Sequence, residues 1–182
     1  MQFFLYFCGK KNKIMTILYL IRHGETVDNS NKIMQGQTQG ELNEKGINQA
    51  RMVSKNLTEE HFDAIISSDL KRSYDTASII AEPHFLTVVT TPLLRERDWG
   101  GFTGRYIPDL KDEPWPDDIE SLEMLKSRAS EFLDFVRTTF PDQKVLAVGH
   151  GIINKAIQSV FYDKPMNEIP KMDNAEVRIL HI

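Results

Sequence analysis

The sequence predicts an α/β protein, a three-layer α/β/α sandwich built on a mainly parallel mixed sheet. Three observations carry that prediction. Short apolar runs recur at 16–21, 63–67, 86–91, 144–148 and 177–182, each bounded by polar or turn-forming residues as buried strands are. Between them lie longer stretches with apolar residues every three or four positions, so strand and helix alternate. Two of the runs, 16–21 and 144–148, lead into a histidine flanked by glycine, and the carboxyl ends of parallel strands are where such sheets place their ligands.

The chain has 182 residues, 41% apolar and 26% charged, enough for one domain with a proper core. A formal net charge of -4 argues against nucleic acid or an anionic membrane as a general partner, so any attraction for anions has to be local. Residues 1–15 read as an extension outside the core. The apolar stretch 3–7 is far shorter than the roughly 20 residues a bilayer span takes. It lacks the basic flank and cleavage site of a secretory signal, and translation is expected to start naturally at Met15. The single cysteine, Cys8, gives no disulfide framework and points to a reducing, cytoplasmic compartment. Ile14 stands where a cysteine phosphatase would need an arginine six residues after its thiol, so Cys8 is not read as a nucleophile.

In order, the β-branched run 16–21 delivers Arg22, His23 and Gly24 in succession, and the glycine marks a turn with close backbone approach. Residues 25–40 are polar, with Asn29, Asn31, Gln35, Gln37, Gly36 and Gly40, and read as a loop over the mouth of a site. Asn43 suits the N-cap of a helix over 44–60, with Ile47, Ala50, Met52, Val53 and Leu57 on its apolar face. The strand 63–67 passes through Ser68 and Asp69, a fitting cap, into a helix reaching residue 81 with Tyr74, Ala77, Ile80 and Ala81 inward. Arg72 falls in its first turn; Lys71 reads as a surface residue. Pro83 stops that helix, 86–91 is the third strand, and Pro92 opens a loop carrying Arg95, Glu96, Arg97 and Trp99 among the glycines Gly100, Gly101 and Gly104. The polar, proline-broken stretch 104–120 reads as a short lid. A helix is expected over 119–140 with Leu122, Leu125, Ala129, Phe132, Leu133, Val136 and Phe140 in the core. Strand 144–148, then Gly149, His150 and Gly151, a helix over 152–161, a loop over 163–173 and a closing strand 177–182 complete the chain.

Four segments together resemble the histidine phosphatase superfamily, the phosphoglycerate-mutase-like family: LIRHGETVDN at 20–29, SSDLKRSYDTA at 67–77, LRERDWGGFTG at 94–104 and VGHG at 148–151. They fall in the family's order and cover most of the chain after Met15. The resemblance implies phosphomonoester hydrolysis through a phosphohistidine, with His23 as nucleophile and Arg22 and Arg72 as phosphate-binding arginines. It implies Glu96, in its Leu-x-Glu context, as general acid and a protonated His150 as an electrostatic clamp. Asn29, six residues beyond His23, is expected to hold the transferred phosphoryl oxygens, and Gln35, Gly36 and Gly151 to touch substrate.

These residue types suit the reaction. A phosphate monoester carries close to two negative charges near neutral pH and resists attack by water. Arginine offers a planar fork that matches phosphate oxygens, which a lysine point charge does not. A nucleophilic imidazole must be neutral, with its other nitrogen held as a donor, and the turn at Gly24 could supply the acceptor. The charge of a bound phosphate favours the protonated form of Glu96, as an acid requires. No cofactor is implied. No metal is expected, since the histidines lack paired ligand spacing and no acidic cluster lies beside His23 or His150. Without a Gly-Lys-Thr/Ser loop, kinase chemistry is excluded. His61, His84 and His181 fall outside the motifs and read as surface or structural.

The same family contains mutases. Those resembling this chain at ERDWGG carry a longer insertion with an adjacent arginine pair and a lysine gripping the carboxylate of phosphoglycerate. Here 104–145 is short, and Arg105, Lys111, Lys126 and Arg128 include no adjacent arginines, so hydrolysis of a small-molecule phosphate ester is favoured over mutase transfer. A phospho-ligand binding module is the third reading. Residues 32–46 and 67–76 also resemble the fructose-2,6-bisphosphatase-like branch, pointing to a sugar phosphate or bisphosphate. Thr103 replaces a glutamate common in the family's phosphatases, which leaves the ester open along with the oligomeric state.

Overall fold

A computed structural model describes residues 15–182, and the expectations about residues 1–14, Cys8 included, lie outside the described residues. Five strands form one sheet: β1 (Ile17–Arg22), β2 (Ala64–Ser68), β3 (Val88–Thr91), β4 (Lys144–Gly149) and β5 (Val177–His181). Their order is β3-β2-β4-β1-β5, parallel throughout except for β5, which runs antiparallel to β1. This is the mixed, mainly parallel sheet that the alternating pattern predicts.

Successive side chains point to opposite faces of a strand, and β1 shows both. Leu18 and Leu20 pack with Phe132, Leu133, Val136, Ile153 and Ile157 of helices α4 (Leu122–Thr139) and α5 (Gly151–Tyr162). Tyr19 and Ile21 pack on the other face with Val53, Ala77 and Ile80 of helices α2 (Glu44–Leu57) and α3 (Lys71–Ala81). Near-continuous burial of β1 and β4 is what a sheet covered on both sides requires.

Several details differ from the sequence reading. The stretch 25–40 is not wholly loop: α1 (Val27–Ser30) forms within it because Thr26 and Asn29 cap each other reciprocally, side chain to backbone in both directions. Helix α2 stops at Leu57 rather than residue 60, and Met52 on it is exposed. Asp69 does not cap α3. Its carboxylate is held by the Arg95 guanidinium at 2.8 and 3.1 Å, and Gln39 meets the free amides of α3 instead, its side-chain and main-chain oxygens accepting from Lys71 N and Arg72 N. Tyr74 faces solvent because small polar residues make the buried face of α3: Ser73 Oγ donates to the Val148 carbonyl and Thr76 Oγ1 accepts from Gly24 N. Leu122, the first residue of α4 beyond its Ser121 cap, is also exposed.

The entry to the site is set by two glycines in contact. A Cβ on Gly24 would lie 2.4 Å from the Gly46 carbonyl oxygen, and one on Gly46 would lie 2.0 Å from that of Glu25. Both obstacles are backbone, so no side-chain rotation relieves them. Gly46→Ala is expected to cost about 2 kcal/mol or more through overpacking and to lower turnover by displacing residues 24–25, despite alanine's better helix propensity. Urea unfolding with a parallel assay measures both; a neutral or stabilising change would contradict the contact.

Candidate active site

Register brings the two motif histidines together. Arg22 and Gly149 are directly paired at the ends of parallel strands β1 and β4, so His23 and His150, each one residue further on, leave the sheet side by side. Their ring centroids are 5.0 Å apart, and both are almost wholly buried. The sharp turn at Gly24 brings its carbonyl back to His23, where it accepts from Nδ1 at 2.7 Å. A carbonyl can only accept, so Nδ1 carries the proton and Nε2 the lone pair. Arg72 Nε donates to that lone pair at 3.3 Å.

Arg72 reaches the ring from the first turn of α3 and is 1% exposed. Its terminal nitrogens donate to the carbonyls of Gly36, Thr38 and Gln39, which fix the guanidinium and leave one Nη2 proton beside the Nε–H. Gly36 sits at φ +52, left-handed, and a Cβ there would meet Thr103 Oγ1 at 2.9 Å, so glycine lets this carbonyl turn toward Arg72 with least strain. Arg22 donates through Nη1 to the Met172 carbonyl at 2.8 Å, while its Nε is buried with no partner. Both ring nitrogens of His150 are likewise buried and unpartnered. Unmet polar groups at one spot, two of them beside arginine charge, describe a site waiting for an anion.

Burial lowers the Arg72 guanidinium to about 10, and burial also lowers that of Arg22, against the pull of Glu96, Asp173 and Glu176; both remain cationic near neutrality. Burial first, and then Arg72 and Arg22, hold His23 well below the ordinary imidazole range. His150 is held down by burial, Arg72, His23 and the remaining nearby arginines. Without an anion beside it the His150 ring resists protonation, because the charge would be buried and set against two other positive charges; the protonated His150 expected from the sequence belongs to the phosphate-bound state. A neutral His23 with its lone pair on Nε2 is the form a nucleophile needs.

The two histidines also predict a pH dependence of stability. In the unfolded chain both rings take up protons below about pH 6.5, whereas the buried rings do so only at much lower pH. Their contribution is complete above that pH and lost as pH falls, by up to about 1.4 kcal/mol per pH unit for each ring. Urea midpoints measured from pH 7.5 to 5 are expected to drop steeply below 6.5; midpoints flat across that window would contradict the burial of neutral imidazoles.

Glu96 sits over the amino terminus of α5. Its Oε1 accepts the N–H groups of Arg97, Ile152 and Ile153 at 2.9 to 3.1 Å, whereas Oε2 has only a 3.2 Å contact to Ile152 N. Oε2 is thus the oxygen free to carry or take a proton. Glu96 is not paired with either neighbouring arginine: Arg95 holds Asp69, and Arg97 donates to the Glu120 carbonyl while lying 4.8 Å from the Trp99 ring. Arg128 on α4 braces the loop, pairing with Glu120 and donating to the carbonyls of Leu93, Arg95 and Glu96.

Asn29 accepts at Oδ1 from Thr26 N and Asn174 Nδ2, which leaves its amide NH2 for the cavity. That cavity, about 240 Å³, is lined by Arg22, His23, Asn29, Gln35, Gly36, Arg72, Glu96 and Gly151, so every nominated residue except the deeper-set His150 reaches its surface. Ile33, Met34, Trp99, Ile107, Ile152 and Lys171 complete the wall and were not foreseen as site residues. Trp99 among its loop glycines, and Ile33, Met34 and Ile107 within the stretches read as mouth loop and lid, were hinted at by placement alone. The stretch expected as a lid borders the mouth, with Met34 N bonded to the Arg105 carbonyl and Ile107 N to that of Lys32. Among the described residues, no group of three His, Cys, Asp or Glu side chains is arranged to hold a metal ion, and no helix is long and apolar enough to cross a membrane.

Comparison with known proteins adds the following. The profile of the histidine phosphatase superfamily (branch 1) matches residues 18–182. A Yersinia pestis protein named "Probable phosphoglycerate mutase GpmB" is 35% identical over 165 residues, spanning 83% of this chain and 77% of that protein. Among solved structures, a mycobacterial glucosyl-3-phosphoglycerate phosphatase with VO3 superimposes with a TM-score of 0.83 at 28% identity, covering 90% of each chain. A phosphoserine phosphatase from Entamoeba histolytica, in complex with 3-phosphoglyceric acid, has a TM-score of 0.82 at 25% identity, covering 91% of this chain and 90% of that one.

Proposed function

The chain belongs to branch 1 of the histidine phosphatase superfamily, and from that premise we propose that it hydrolyses a small phosphate monoester through a phosphohistidine at His23. One observation carries the proposal: the Gly24 carbonyl holds Nδ1 of His23, so the lone pair is on Nε2, which faces the Arg72 Nε–H beside the His150 ring. Nε2 attacks phosphorus, the P–O bond to the alcohol breaks, and Glu96 Oε2 gives its proton to the departing oxygen. Charge gathers on the equatorial oxygens during transfer, where Arg22, Arg72, the Asn29 amide and His150 donate. Glu96, now a carboxylate, takes a proton from water, whose oxygen attacks phosphorus and releases His23 and inorganic phosphate.

The small cavity suits a phosphoryl group with a few carbons rather than a macromolecule, and we propose a sugar phosphate, bisphosphate or similar metabolite of the cytoplasm as substrate. A mutase is the second reading, favoured by the name of the 35% identical relative. Incubating the protein with a panel of phosphate monoesters, including both phosphoglycerate isomers, separates them. Release of inorganic phosphate is the expected result; exchange between isomers without release would overturn hydrolysis in favour of transfer, and neither would leave a phospho-ligand binder.

A further inference from the structure

The turn that prepares His23 has no side chain of its own, so it has to be held from outside. Gly24 offers backbone groups alone: its carbonyl accepts from Nδ1 of His23, and its N–H needs a partner in a buried place. That partner is Thr76 on α3, wholly buried, whose Oγ1 accepts from Gly24 N at 3.1 Å. The same hydroxyl donates its proton to the Arg72 carbonyl, one helical turn back, at 2.7 Å. A hydroxyl has one proton to give, so this bond to the helix leaves its lone pairs for the turn.

One atom thus ties together two parts of the phosphoryl site. Thr76 grips the backbone of Arg72, whose Nε donates to Nε2 of His23. It also grips the backbone of Gly24, whose carbonyl holds Nδ1 of the same ring. On its other side the turn rests against α2, where a Cβ on Gly24 would lie 2.4 Å from the Gly46 carbonyl oxygen. Contact with α2 blocks movement one way, whereas a hydrogen bond sets both distance and direction. Neighbouring Ser73 is committed elsewhere, its hydroxyl donating to the Val148 carbonyl in β4.

We propose that Thr76 is a positioning residue for the nucleophile: its hydroxyl fixes the Gly24 turn so that the Gly24 carbonyl keeps Nδ1 of His23 as the donor and Nε2 faces the phosphoryl group. This role rests on the hydrolase reading and adds to it a side chain that touches neither the substrate nor the reacting atoms. Thr76 does not hold the anion. The Arg72 guanidinium is fixed by the carbonyls of Gly36, Thr38 and Gln39, which a change at Thr76 leaves in place. Loss of the hydroxyl should therefore slow chemistry and spare binding.

Two pairs of side chains isolate that hydroxyl. Valine has the shape of threonine without it, and alanine differs from serine in the same way. With p-nitrophenyl phosphate, Thr76→Val is expected to lower kcat and the rate of the nitrophenol burst by about 10- to 100-fold, as a small misplacement of a reacting atom does. Calorimetric affinity for inorganic phosphate should stay within about threefold of wild type, so the loss falls on kcat and not on binding. Thr76→Ser should restore kcat to within about threefold, and Thr76→Ala should fall below it as valine falls below threonine, a comparison that survives if the valine variant does not fold. Equal kcat within either folded pair, or a loss of phosphate affinity as large as the loss of kcat, would overturn the role. If wild type hydrolyses no ester, the hydrolase reading fails, and ¹⁵N spectra of the His23 ring, identified by its absence in His23→Ala, decide instead. A proton on Nδ1 in wild type and Thr76→Ser, with mixed tautomers in Thr76→Val or Thr76→Ala, supports the role, and an unchanged ring overturns it.

Discussion

His23→Ala is expected to abolish turnover, by about 10⁴-fold or more, because the substitution removes the atom that bonds to phosphorus and nothing else in the pocket can take its place. The other ring, on His150, has no partner to hold one nitrogen as donor and bare the other, which the Gly24 carbonyl does for His23. Phosphate binding should survive, since Arg22 and Arg72 keep their carbonyl contacts and lose only the histidine lone pair. The measurements are phosphate release, calorimetry with inorganic phosphate, and ³¹P spectra of protein quenched in alkali, where a phosphohistidine persists. A phosphoenzyme signal in His23→Ala, or activity within tenfold of wild type, would assign the nucleophile elsewhere.

Glu96→Gln should separate the two steps of the reaction. The amide oxygen can keep the three N–H contacts now made to Oε1, so the substitution leaves the cap of α5 in place and removes the exchangeable proton. For an alkyl phosphate, whose alkoxide cannot leave without a proton, kcat/KM is expected to fall by about 10² to 10⁴. For p-nitrophenyl phosphate, whose phenolate leaves unaided, kcat/KM should change by less than about tenfold. Its kcat should fall nonetheless, because hydrolysis of the phosphoenzyme needs the same group as base, and a burst of nitrophenol should then precede slow turnover. Equal losses of kcat/KM on both esters would remove Glu96 from the acid role.

The parts of the site that sequence reasoning reached are those with local grammar. Arg22 and His23 follow from a strand that ends in a glycine turn, and Asn43 follows from its place before a periodic stretch; Gly46 accepts no side chain because of Glu25, beyond the intervening α1. A glycine in the first turn of a helix, where alanine would be more stable, is a signal of close approach that could have been read. Gln39 over the start of α3, Arg128 under the Glu96 loop and Asn174 behind His23 carry no such signal, since each acts through contacts with backbone groups distant in sequence. Tyr74 misled because apolar periodicity ignores polar residues such as Ser73 and Thr76, which pack inward once their hydroxyls find buried partners.

Residue order alone determined the alternation of strands and helices, the covering of the sheet on both faces, and the two strand ends at which chemistry was to be expected, because hydrophobic period and turn residues act over a few positions. Only the tertiary structure decided that β1 and β4 are neighbours in the register that sets His23 against His150, and that burial, with the arginines crowded beside it, holds both rings below the ordinary imidazole range. Strand order, burial and the balance among buried charges are properties of contacts between residues tens to more than a hundred positions apart, and no local pattern records them.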